Sequence, residues 1–110
     1  MEAPLVRARS DLIEMGFVFE GLPEGAFDRR VIRRAVAFLK GVLDNPGKLV
    51  TELVVVSHPT NRPRLRSRPV WLVFVESGPS DSEPEFEYVA ALIDATTGSP
   101  LHAYYKRPGA

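Results

Sequence analysis

The spacing of four β-rich stretches in the second half of the chain constrains its fold most. They are KLVTELVVVSH (48–58), PVWLVFVES (69–77), EFEYVAALID (85–94) and SPLHAYYKR (99–107). Val, Tyr, Phe and Leu dominate them, residues that suit a pleated, packed surface. The links between them, 59–68, 78–84 and 95–98, are all shorter than the dozen or so residues a parallel crossover needs. Consecutive strands are therefore expected to run antiparallel, as a meander. The last link, DATTG, predicts a tight hairpin with Gly98 at positive φ and Asp94 accepting hydrogen bonds from the turn amides.

One helix precedes the strands. In DRRVIRRAVAFLKGVL (28–43), Val31, Ile32, Ala35, Val36, Phe38, Leu39, Val42 and Leu43 fall on one arc at the helical period. Asp28 is placed to cap its start, and DNPG to end it. A helix this short is marginal alone, so it needs a sheet beneath it. Burial of each large apolar side chain contributes about 1.5–3 kcal/mol to that docking. The predicted fold is α+β, with one main helix on an antiparallel meander of three to four strands. Residues 1–27 read as a lead-in, a short helix with Ser10 as its N-cap followed by an extended GFVFE. The helix-on-sheet unit then occupies 28–110.

Composition sets the outer bounds. The 110 residues suffice for a single core, and 45% apolar with 25% charged residues is the balance of a folded chain. Lys plus Arg equal Asp plus Glu at 14 each, which argues against a nucleic-acid partner. There is no cysteine, so thiol catalysis and cysteine-ligated zinc are excluded. Charges at Glu2, Arg7, Arg9, Asp11 and Glu14 leave no apolar run for a signal peptide. The longest apolar run, VWLVFV, is far short of the ~20 residues of a membrane helix, so no membrane segment is expected.

The most unusual local pattern is NRPRLRSRPV, with Arg62, Arg64, Arg66 and Arg68 at alternate positions. In an extended segment they would line one face, able to hold carboxylates bidentately. SDSEPEFE repeats the spacing with Asp81, Glu83, Glu85 and Glu87. A meander places these two loops at opposite ends, so intramolecular neutralisation is not expected. Solvated edge charges that discourage aggregation are the plainer account. The sharper one is docking of an acidic protein partner, or head-to-tail self-association. Arg29, Arg30 and Arg33 extend the positive surface, with Arg34 and Lys40 on the same outer face of the helix. Arg29 and Arg30 oppose the helix dipole in its first turn at about 0.3–1 kcal/mol each; a solvated face is the plainer account, and a binding role is the one to test.

No catalytic or metal signature accompanies these charges. His58 and His102 lack zinc-ligand spacing and are expected as isolated surface residues. Ser57, His58 and Asp94 do not make a triad, because adjacent strand residues face opposite sides and no nucleophile elbow surrounds Ser57. Trp71, Phe74, Tyr88, Tyr104 and Tyr105 are expected to be core. No cofactor is expected.

The stretch RPVWLVFVES…EFEYVAALIDATTGSPLHAYY resembles the PepSY domain family. It has the family's aromatic-and-valine strand, then a strand ending in Asp94, Ala95, Thr97 and Gly98, then a closing strand opened by Leu101. The similarity covers about residues 28 to 106. It implies a non-enzymatic helix-on-sheet module of bacterial, extracytoplasmic proteins that binds, and is suspected of restraining, a peptidase. Asp94 and Gly98 would then be turn-builders. The alternative is a small-ligand-binding, cystatin-like domain. A pocket of roughly 300 Å³ or more between helix and sheet would favour the alternative, and a filled core with exposed surfaces the first.

Overall fold

A computed structural model of the chain describes residues 4–58 and 65–109. Among them, helix α1 (Pro4–Glu14) leads into strand β1 (Val18–Gly21). A 3-10 turn (Arg29–Ile32) opens helix α2 (Arg33–Val42). Four strands follow: β2 (Pro46–His58), β3 (Leu65–Ser77), β4 (Tyr88–Asp94) and β5 (Pro100–Lys106). The sheet is antiparallel throughout, in the order β1-β2-β3-β4-β5. The architecture is α+β, as the short links require.

The count differs from expectation: among the described residues the sheet has five strands instead of three or four, and the short helix expected in the lead-in is an 11-residue α-helix in addition to the main one. The fifth strand comes from the GFVFE stretch, where Val18 and Phe19 pair with Ser57 and Val56. The second helix comes from the residues before it, and Ser10 lies inside it instead of capping it. The predicted 28–43 helix also divides. Its first turn is 3-10, and Asp28 caps it by accepting from the Arg30 amide at 2.9 Å.

The sheet needs both helices because its central strands are apolar on both faces. Alternate residues of a strand point to opposite sides. In β3 and β4 one set, Val70, Leu72, Phe74, Tyr88, Ala90 and Leu92, packs with Ala8, Leu12 and Phe17. The other set, Val73, Val75, Val89, Ala91 and Ile93, packs with Ile32, Leu39 and Leu43. Every residue of β4 is buried. A strand with no polar face cannot be left half open to water, so α1 covers one side and α2 the other.

Polar contacts fix α1 at its edges. The Tyr88 hydroxyl donates to Asp11 Oδ2. Burial, and then that bond, push the phenol pKa up. Arg7 pairs with Glu87 and Arg9 with Glu52. Glu87, one of the four alternating acids, is thus held by α1 and not by the arginine row. Both guanidinium groups also lie over aromatic rings, Arg7 over Tyr88 at 5.5 Å and Arg9 over Phe19 at 6.0 Å.

The histidines depart from expectation. His58 is buried, and its Nε2 donates to the Met15 carbonyl at 2.8 Å. Its ring and that of half-buried His102 both meet Phe17, with centroids 4.5 and 4.8 Å away. The reason is that β1 and α1 close over this end of β2 and β5, which a separate lead-in would leave open. Burial first, and His58 second, lower the His102 pKa below its ordinary 6.5. The unfolded chain therefore takes up this proton before the folded one does. The stability supplied by neutral His102 is complete above about pH 6.5 and declines as pH falls through the lower folded value. Chemical denaturation between about pH 7 and pH 5 is expected to show this decline, and His102→Gln should flatten it. An unchanged slope in that variant would assign the decline elsewhere.

Among the described residues no helix is long and apolar enough to cross a membrane.

Candidate binding groove

The β4–β5 hairpin is built as its sequence implies. Asp94 Oδ1 accepts from the amides of Thr96 at 2.8 Å and Thr97 at 3.1 Å. The Gly98 amide donates to the Asp94 carbonyl at 2.8 Å, with Gly98 at φ 78°. The buried Asp94 carboxylate is completed by Arg68, whose Nε donates to Oδ2 at 2.8 Å and whose Nη2 donates to the same oxygen. Burial alone would push this carboxyl up. The Arg68 and backbone bonds outweigh it and hold the pKa below the ordinary value.

This hairpin seats on the turn that begins α2. Gly98 lies so close to Val31 that a Cβ would run into the Val31 carbonyl oxygen. Beyond that contact α2 packs over β3 and β4, and a groove of about 800 Å³ lies between the helix and β5. Its floor is apolar and made largely of small residues: Ala35, Leu39, Ala91, Ile93 and Ala103. One wall is the helix stripe Arg30, Arg34 and Phe38, spaced four residues apart, with Arg33 beside it. The hairpin residues Thr97, Ser99 and Pro100 form the other. The groove is therefore polarised along its length. Arginines gather where the hairpin touches Val31, and the apolar part lies a helical turn or two further on, beside Phe38 and Ala103.

The arginines are not equivalent. Arg30 is held bidentately by Asp28, with Nε at 3.1 and 3.0 Å from the two carboxylate oxygens and Nη2 at 2.8 Å from Oδ2. That pairing, followed by the amide of Arg30 and the more distant charge of Arg33, holds the Asp28 carboxyl below its ordinary pKa. Among the described residues, no carboxylate forms an ion pair with Arg33 or Arg34.

The sequence-derived site residues separate into groups. Arg29, Arg30 and Arg33 do cluster, at the start of α2 beside a second, shallower depression with Ile32, Val36 and Leu49. Arg62 and Arg64 lie outside the described residues. Arg66 and Arg68 belong to β3, which begins earlier than its sequence suggests. Alternation between them is broken at Ser67, which takes φ 42° in a bulge between the Val56–Arg68 and His58–Leu65 pairs. Glu20 of β1 holds this bulge, accepting from the hydroxyls of Ser57 and Ser67. Arg68 turns to Asp94, a partner in the hairpin and not in the acidic loop.

Phe38 was expected on the buried arc but is 62% exposed at the groove wall. The apolar arc is wider than the sheet can cover, and its margin is left in water. Ala35, Ala91 and Ala103 carry no sequence signal for a site. Small residues on facing elements make a groove only after the fold brings them together. Among the described residues no group of three or more His, Asp or Glu side chains could hold a metal ion.

Compared with known proteins, the chain matches no family model, no curated protein and no solved structure.

Proposed function

We propose that the chain is a non-catalytic interaction module, similar to PepSY domains, that binds a protein partner in the groove between α2 and the β4–β5 hairpin. The observation that carries this is the pairing of an apolar floor with exposed Phe38 and two arginines, Arg33 and Arg34, that form no ion pair among the described residues. Aromatic and arginine side chains on a concave surface are the usual anchors of protein interfaces. A peptidase is the partner class that the PepSY resemblance suggests.

A photo-crosslinking amino acid in place of Phe38 tests this. It should capture a discrete polypeptide, and charge reversal of Arg33 and Arg34 to Glu should abolish the capture. These exposed substitutions should change stability by only about 0.5 kcal/mol. Capture that survives the reversal, or that occurs equally from position 13 on the outer side of α1, would refute a partner site in the groove. Mixing the purified module with a candidate peptidase then tests restraint directly, through the rate of peptide hydrolysis.

The groove's volume supports a second reading, binding of a small amphipathic ligand, since about 800 Å³ exceeds the few hundred Å³ such ligands require. The groove is open along its side and the core beneath it is filled, features that suit a partner's chain better.

A further inference from the structure

We propose that the groove's occupant is an extended polypeptide segment that adds to β5 as a sixth strand, directing an acidic side chain to Arg34 and apolar side chains toward Phe38 and Ala103. Strand addition rests on the partner-site reading above and specifies how that partner is held.

The sheet has two edges, and they are not alike. β1 is four residues long and its pairing is interrupted between Phe19 and Gly21, which blunts that edge against further pairing. β5 is seven residues long, and among the described residues no strand pairs with its outer side. Leu101 is the extra residue of a bulge, since Leu92 pairs with His102 and Ile93 with Pro100. Beyond it, His102 to Lys106 pair in unbroken register with Leu92 to Tyr88. These five residues present a regular row of backbone donors and acceptors to an incoming chain.

The groove lies beside that row. Side chains of an added strand alternate between the sheet's faces, and those on the α2 face would stand next to Ala103 and Tyr105. The small floor residues leave room for them beneath Phe38. Charge sets the chemistry of the segment. Arg30 is already occupied by Asp28, whereas Arg34 lines the groove, forms no ion pair among the described residues, and can grip a carboxylate with two parallel N–H bonds. A small amphipathic anion could use the groove and this arginine, but it would have no use for the edge of β5.

The test uses the full isotope-labelled chain and blocked octapeptides of alternating valine and threonine, with one glutamate moved through the positions. Matching peptides with lysine in place of glutamate serve as controls, and decanoate serves as the small anion. At least one glutamate peptide should bind and slow amide exchange about tenfold or more at alternate residues of 102–106. Its affinity should fall about fivefold or more in Arg34→Glu and for its lysine counterpart. Failure of every glutamate peptide overturns the proposal, as does binding with exchange in β5 unchanged. Decanoate shifting the resonances of Phe38 and Ala103 while no peptide binds would assign the groove to a small ligand instead. If Phe38 crosslinks a partner in the earlier experiment but β5 stays unprotected, strand addition fails while the partner site stands.

Discussion

Gly98→Val is expected to lower the unfolding free energy by about 3 kcal/mol or more. In a chain of this size that corresponds to a fall of about 10 °C or more in melting temperature. Two effects combine. Gly98 takes φ 78°, a conformation in which a β-branched side chain is strained. The added Cβ would also collide with the Val31 carbonyl oxygen, which belongs to the backbone of the turn opening α2 and has no rotamer through which to retreat. Gly25→Val separates the two effects. Gly25 also has positive φ, at 92°, but open space surrounds it. The Gly25 variant should therefore lose distinctly less stability than the Gly98 variant. Equal losses would mean that the close seating of the hairpin on α2 contributes nothing. The comparison also probes the groove, because any shift of the hairpin away from Val31 widens its arginine end.

Leu12→Ala should cost about 2–5 kcal/mol, the range for truncating a fully buried leucine. Leu12 is completely buried against Val70, Leu72 and Leu92. Its neighbour Ile13 is 54% exposed, and Ile13→Ala should stay within about 0.5 kcal/mol. Urea unfolding of the two variants measures whether α1 belongs to the cooperative unit or merely rests on it. Matching midpoints would place α1 outside that unit. A large gap between them would show that the sheet's second face depends on α1.

These two sites differ in how far the chain announced them. The hairpin was legible because its chemistry is local. Asp94 reaches amides two and three residues on, and Gly98 answers a backbone demand within the same turn. α1 and β1 were less legible, although a signal was present. VWLVFV and YVAALI show no alternation, and strands apolar on both faces need cover on both. One amphipathic helix supplies one cover, so a second had to come from the remaining residues. The weak helical pattern around Leu5, Ala8 and Leu12 was the only segment left to supply it.

The arginines follow the same division. Their number and spacing are plain in the sequence, yet spacing did not decide which of them act together. A bulge at Ser67 breaks the row in β3, and Arg68 is drawn to Asp94 across 26 residues of chain. Arg30 and Arg34 acquire a groove because α2 happens to lie beside Ala91 and Ala103.

Taken alone, the sequence determined what short-range physics controls: the main helix and the four later strands, the antiparallel course imposed by brief connections, and the turn at Asp94–Gly98. Tertiary structure decided which helix covers which face, where two histidines meet around Phe17, and that a groove with arginines at one end opens beside β5. Those outcomes depend on contacts between residues far apart in the chain, and such contacts form only when elements with apolar faces compete for the same limited sheet surface.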